Sequence, residues 1–140
     1  MKPFLSSLIW VLLNWPSLLY AGGPLVVVIH PGSSVETLSR EEVINIFLGR
    51  YRQLPSGLLA QPVDQPAGQK ASFYKLLVGK ELPEINAYWS RLVFSGKTKP
   101  PQQARDLAEV IQWVNSLPGA IGYMEADQVD SRVKVALKLN

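Results

Sequence analysis

The sequence contains no cysteine, only one histidine, and no uninterrupted apolar run of the roughly 20 residues a membrane span needs. Without cysteine there is no disulfide framework, no thiolate zinc site, no thiol nucleophile and no residue to carry a lipid anchor after a leader, which excludes a diacylglycerol-modified lipoprotein. Charge of one sign is also scarce. Fourteen Lys and Arg stand against 11 Asp and Glu, for a net charge of +3. That surplus is too mild to argue a nucleic-acid partner. The phosphate-loop pattern G-x-x-x-x-G-K-[ST], the dinucleotide pattern G-x-G-x-x-G and any serine nucleophile elbow are missing, and no His, Asp and Glu fall at metal-ligand spacing. The expectation is a protein with no catalytic residues, no metal and no cofactor.

What is present suits one domain, since 140 residues lie near the commonest domain size. Residues 1–21 read as a secretory signal peptide: Lys2 forms the basic start, Phe4 to Leu13 the apolar stretch, and Leu19-Tyr20-Ala21 precede Gly22-Gly23 as a cleavage region. An uncleaved anchor is the alternative. Asn14 and Pro16 interrupt the run short of the roughly 20 residues a span requires. The expected product is a periplasmic or secreted domain, residues 22–140, with no membrane insertion after cleavage.

Leu25 to Ile29 is an unbroken β-branched and leucine run, the pattern of a parallel-type strand covered on both faces, and it ends in the turn His30-Pro31-Gly32. Ser39 with Glu42 forms a capping box, and Leu38 with Val43 a hydrophobic staple, so a helix is predicted over 40–48, closed by Gly49. A short strand is expected within 58–64, with Pro62 suiting an edge. Helices follow over 70–78 and from Pro83 to Phe94, the second with Ile85, Tyr88 or Trp89, Leu92 and Val93 at helical spacing. Asp106 and Glu109 start another, whose buried stripe is read as Leu107, Val110, Ile111, Val114 and Leu117. Ala120 to Tyr123 reads as a strand packed so closely that Gly122 is needed, and Val133 to Leu139 alternates as a last strand. Interleaved strands and helices predict an α/β domain with a mostly parallel sheet flanked by helices.

One segment has the character of a binding site. Asp64 to Ser72 joins a strand to a helix, so the free N–H groups around Gly68, Gln69, Lys70 and Ala71 would face outward at the positive end of the helix dipole, with Ser72 close by. His30, at the end of the first strand, is expected on the same rim. Two bland alternatives stand beside this: the N–H groups are satisfied by water or by the Gln65 and Gln69 side chains, and His30 is only a turn residue. Lys97, Lys99, Arg50 and Arg52 read as solvated loop charges, and Tyr88, Trp89 and Trp113 as core aromatics.

Several segments together resemble a known family. They are Val26 to Ser34, Leu38 to Glu42 with Ile46-Phe47-Leu48-Gly49, Phe73-Tyr74, Ala87-Tyr88-Trp89 with Phe94-Ser95-Gly96 and Pro100-Pro101, and Pro118 to Tyr123. The pattern resembles the short phosphate ABC transporter substrate-binding-like proteins of the type 2 periplasmic-binding-protein superfamily. The resemblance implies a non-enzymatic substrate-binding protein for transport, with phosphate as the small anion. It also implies a two-lobed parent, of which this chain has material for one lobe. The parent's Ser-Gly-Thr-type loop corresponds here to Gln65-Pro66-Ala67-Gly68-Gln69 followed by Lys70 and Ser72, so its hydroxyl residues are replaced. Weak anion binding, or binding completed by an envelope protein partner, is the expectation. The rival reading is an accessory interaction module of an envelope transporter or sensor, presenting Arg50 to Arg52 and Lys97 to Pro101.

Overall fold

A computed structural model describes residues 24–139. The leader read over 1–21 lies outside the described residues. In chain order the elements are β1 (Leu25–Ile29), α1 (Arg40–Phe47), β2 (Gln61–Asp64), α2 (Ala67–Val78), α3 (Leu82–Phe94), β3 (Gln102–Gln103), α4 (Leu107–Ser116), β4 (Ala120–Glu125), a 3-10 turn (Ala126–Gln128) and β5 (Lys134–Leu139). The strands form one sheet in the order β3-β2-β4-β1-β5.

Local chemistry places these elements as the sequence predicts, with few exceptions. Ser39 Oγ accepts from the Glu42 N–H at 3.1 Å, and Glu42 Oε1 accepts from the Ser39 N–H at 3.0 Å, so the capping box at α1 is complete. Asp106 Oδ1 accepts from the Glu109 N–H at 2.9 Å at the start of α4. Gly49 follows α1 with φ +75°, and a Cβ there would lie 2.9 Å from the Trp89 ring. Both the left-handed backbone and the close aromatic require glycine at this position.

The sheet has β2, β3 and β4 mutually parallel, while β1 is antiparallel to β4 and to β5. Four strands therefore point one way and β1 alone runs against them. The parallel reading of β1 is thus corrected, although its burial is as expected: all five residues are buried. Helices cover both faces, and a strand buried on both faces shows an unbroken apolar run in either direction.

Alternate residues of β1 feed two cores. Leu25, Val27 and Ile29 join Phe47, Phe73, Tyr74, Ile121 and Tyr123 beneath α1, α2 and α3. Val26 and Val28 join Val63, Val110, Ile111, Val114 and Met124 beneath α4. Each fully buried apolar side chain of this kind contributes about 1.5–3 kcal/mol. Gly122 is where α4 meets the sheet: a Cβ would stand 2.9 Å from Val110 Cγ1. Leu117, read as a member of the buried stripe of α4, is instead exposed, and so is Val93, placed at helical spacing in α3. Leu117 lies just past the end of α4, and Val93 sits in the last turn of α3.

Candidate functional site

β2 ends at Asp64, and α2 begins at Ala67, three residues earlier than the sequence suggested. Pro66 is the N-cap residue, and its ring has no acceptor to offer. The first backbone bond into the helix is from the Lys70 N–H to the Pro66 carbonyl at 3.1 Å. The N–H groups of Ala67, Gly68 and Gln69 therefore have no partner among the described residues. They point outward at the positive end of a 12-residue helix.

Neither glutamine caps them. Gln65 is buried, with its Nε2 donating to the Tyr123 carbonyl. Gln69 Nε2 donates to Glu125 Oε1 at 3.0 Å, tying the helix start to the end of β4. Lys70 Nζ stands 3.9 Å from Asp64 Oδ2, with the lysine side chain mostly shielded from solvent. Of the residues singled out in the sequence, Gly68, Gln69 and Lys70 thus come together. Ser72 lies a turn further on, where its Oγ donates to the Gly68 carbonyl at 3.3 Å.

His30 is not with them. Because β1 is antiparallel, Ile29 is opposite Ile121 near the start of β4, whereas Leu25 is opposite Glu125 near the α2 start. His30 therefore sits on the opposite rim, about one strand length or 15 Å away. Its Nδ1 accepts from the Gly32 N–H at 3.0 Å, the geometry of a turn residue.

Beneath the helix start lies a buried polar cluster that the sequence did not reveal as a unit. Tyr74 donates to Asp64 Oδ2 at 3.0 Å, and Tyr123 donates to Asp64 Oδ1 at 3.1 Å. The Tyr123 oxygen in turn accepts from the Gln65 N–H at 3.0 Å. Burial pushes the Asp64 carboxyl up to about 6, against the lowering effects of Lys70 and the two tyrosine hydroxyls. Burial, followed by the neighbouring Asp64 charge, holds both tyrosines protonated far above their ordinary range. The Phe73 ring stacks on Tyr123 with centroids 3.8 Å apart and fixes the orientation of its hydroxyl. The signal was present only as an aspartate at a strand end and two aromatics 10 and 59 residues away.

A cavity of about 720 Å³ opens beside this cluster, with Asp64, Lys70, Trp89, Phe94 and Gln103 in its walls. Gln103 Nε2 donates to the Gln65 carbonyl at 2.6 Å, so β3 holds the strand-to-helix loop from its far side. The site offers amide donors and one ammonium group to an anion, over a floor that holds the Asp64 carboxyl.

A mixed sheet covered by helices on both faces, with an uncapped helix start at one rim, makes a single α/β domain whose fold matches about half of larger solved proteins. Three solved structures are similar to it in fold. An ABC-type phosphate transport receptor from Vibrio cholerae superposes with a TM-score of 0.63 at 18% identity, covering 81% of this chain and 45% of that one. A phosphate ABC transporter substrate-binding protein from Clostridium perfringens, solved with bound phosphate, gives 0.63 at 15% identity over 81% and 44%. PstS from Borrelia burgdorferi gives 0.60 at 14% identity over 81% and 46%. The chain thus spans just under half the length of these structures. No protein-family model and no curated protein sequence matches it. Among the described residues, no helix is long and apolar enough to cross a membrane.

Proposed function

We propose that this protein is a non-enzymatic periplasmic binding domain that takes a small inorganic anion, phosphate first, at the start of α2. Its affinity is weak for the isolated chain and rises when a partner surface covers the rim. The observation that carries this reading is the uncapped helix start, with three unpartnered N–H groups beside Lys70. The bound phosphate of the Clostridium perfringens neighbour favours that anion. Weakness follows from exposure, since a helix terminus in contact with water contributes only about 0.3–1 kcal/mol. The leader read over residues 1–21 would deliver the domain to the periplasm, and without cysteine no lipid would tether it.

Phosphate titration followed by amide NMR tests the site. The Ala67, Gly68 and Gln69 resonances should shift and saturate, and Lys70→Ala should weaken the effect. At a concentration ten times a millimolar dissociation constant, mass action gives about 1.4 kcal/mol of stabilisation, roughly 5 °C in the unfolding midpoint. Chloride should give none of this. Saturable shifts elsewhere, or none, would remove the assignment.

A second reading has its own observation. Phe94 is 96% exposed and lies with Val93 along the wall of the same cavity. An aromatic left in solvent beside a half-open site suits an accessory module that docks on an envelope transporter or sensor. Cross-linking from position 94 in intact cells should then recover one reproducible envelope protein, and recovery of abundant porins alone would count against docking.

A further inference from the structure

A separate groove lies on the outer surface of the helical layer, between α1 and α3, with a volume of about 460 Å³. Its floor is apolar, built from Ile44, Leu48, Val78 and Ile85. Three cations, Arg50, Lys80 and Arg91, converge on its edge with a single acid, Glu84. Lys80 and Glu84 pair with each other at 3.4 Å. Among the described residues, no carboxylate lies within ion-pair distance of Arg50 or Arg91. Arg50 is instead directed by a 3.3 Å bond from its Nη1 to Asn45 Oδ1. The wall is preformed, because the Tyr88 hydroxyl donates to the Leu48 carbonyl at 2.6 Å and locks that ring against α1.

We propose that this groove is a second binding site, independent of the α2 start, for a small amphiphilic anion: an aliphatic body ending in a carboxylate. An inorganic anion leaves the apolar floor wet, and a neutral hydrocarbon leaves Arg50 and Arg91 uncompensated. The volume falls in the range of small-molecule sites, about 300–1,000 Å³. Val78 ends α2, so the groove sits at the far end of that helix from Ala67, about 16 Å along its axis. The two sites can therefore be distinguished by mutation.

The test is isothermal titration of the purified protein with sodium decanoate, with 1-anilinonaphthalene-8-sulfonate as a displaceable fluorescent probe and decanol as the neutral control. Saturable decanoate binding with probe displacement is expected, and decanol should bind about tenfold more weakly. Ala87 is exposed on α3 and lines the groove, so Ala87→Trp should fill it and abolish binding while leaving the helix intact. Arg91→Glu should weaken binding about tenfold. Leu58→Ser, which alters exposed apolar surface outside the groove and outside the α2 site, should leave it unchanged. Circular dichroism and the unfolding midpoint confirm that each variant is folded. Equal binding by Ala87→Trp, or stronger loss in Leu58→Ser, overturns the assignment. Failure of the wild-type protein to bind decanoate saturably also overturns it.

Discussion

At the scale of single residues, Asp64 carries a sharp consequence. Its carboxyl is buried and titrates near 6 in the folded protein, whereas an unfolded aspartate titrates near 3.9. The folded state holds the proton more tightly, so this residue favours folding below about pH 4 and loses that contribution as pH rises through about 6. The difference of about two units amounts to roughly 2–3 kcal/mol. Asp64→Asn removes the ionisation while its amide oxygen and nitrogen can still meet Tyr123 and Tyr74. Urea midpoints at pH 4, 6 and 8 should therefore show the variant gaining on the wild type as pH rises. Asp130 is held down to about 2 by Arg132 and works in the opposite direction, losing its contribution as pH falls toward 2. It is fully exposed and common to both proteins, so it cancels in the comparison. A wild type and variant that track in parallel from pH 4 to 8 would show that Asp64 is ionised at no cost. Ala67 supports a second residue-scale prediction. Pro66 already has ψ 160°, the extended backbone that a following proline requires, and Ala67 is the first helical residue. Ala67→Pro deletes one of three unpartnered N–H groups with the helix preserved. Stability should hold or rise by about 0.4–1 kcal/mol, while the phosphate-induced midpoint shift falls. An unchanged phosphate shift would place the anion elsewhere.

At the scale of elements, legibility in the sequence followed the strength of local chemistry. α1 and α4 were readable because Ser39 with Glu42 and Asp106 with Glu109 are capping pairs that bond as their spacing predicts. The start of α2 was read late because Pro66 offers no side-chain cap, and that missing cap is also what leaves the anion site open. β3 could not be seen: two exposed glutamines bear no hydrophobic pattern, and only their pairing with Val63 and Asp64 makes them a strand. The direction of β1 was equally hidden, and the misplacement of His30 followed from it. Gly122 was legible as a close approach, and its neighbour Gly119 is tighter still. A Cβ at position 119 would stand 2.0 Å from the Leu59 carbonyl oxygen, against 2.9 Å from a valine methyl at position 122. A side-chain methyl can shift, whereas the backbone carbonyl is held by the start of β2, since Gln61 N–H donates to Gly119 O at 2.9 Å. Gly122→Ala should cost about 1–3 kcal/mol by displacing α4. Gly119→Ala should cost more and break the β2–β4 junction, which hydrogen exchange at Gln61 would report. A Gly119→Ala protein with native protection there would contradict the geometry.

For the whole molecule, the central fact is that a chain spanning just under half of its structural neighbours still closes two cores. Neither core is complete without the two central strands. Val27 packs under α1, α2 and α3, Val28 under α4, and β4 likewise sends Tyr123 to one side and Met124 to the other. Loss of either helical layer would expose a full face of β1 and β4 to water. The two layers are therefore expected to unfold together, although few contacts connect them directly. Urea unfolding should give one transition, with far-ultraviolet circular dichroism and tryptophan fluorescence coincident. Val27→Ala and Val28→Ala should each lower the midpoint by about 2 kcal/mol equivalent with the slope unchanged, even though they touch opposite cores. Two resolved transitions, or a Val28→Ala variant that melts α4 alone, would mean that one layer depends on a covering partner for its own stability. A single transition instead means that the domain stands alone as a folding unit. The open α2 start would then remain available for whatever closes over it.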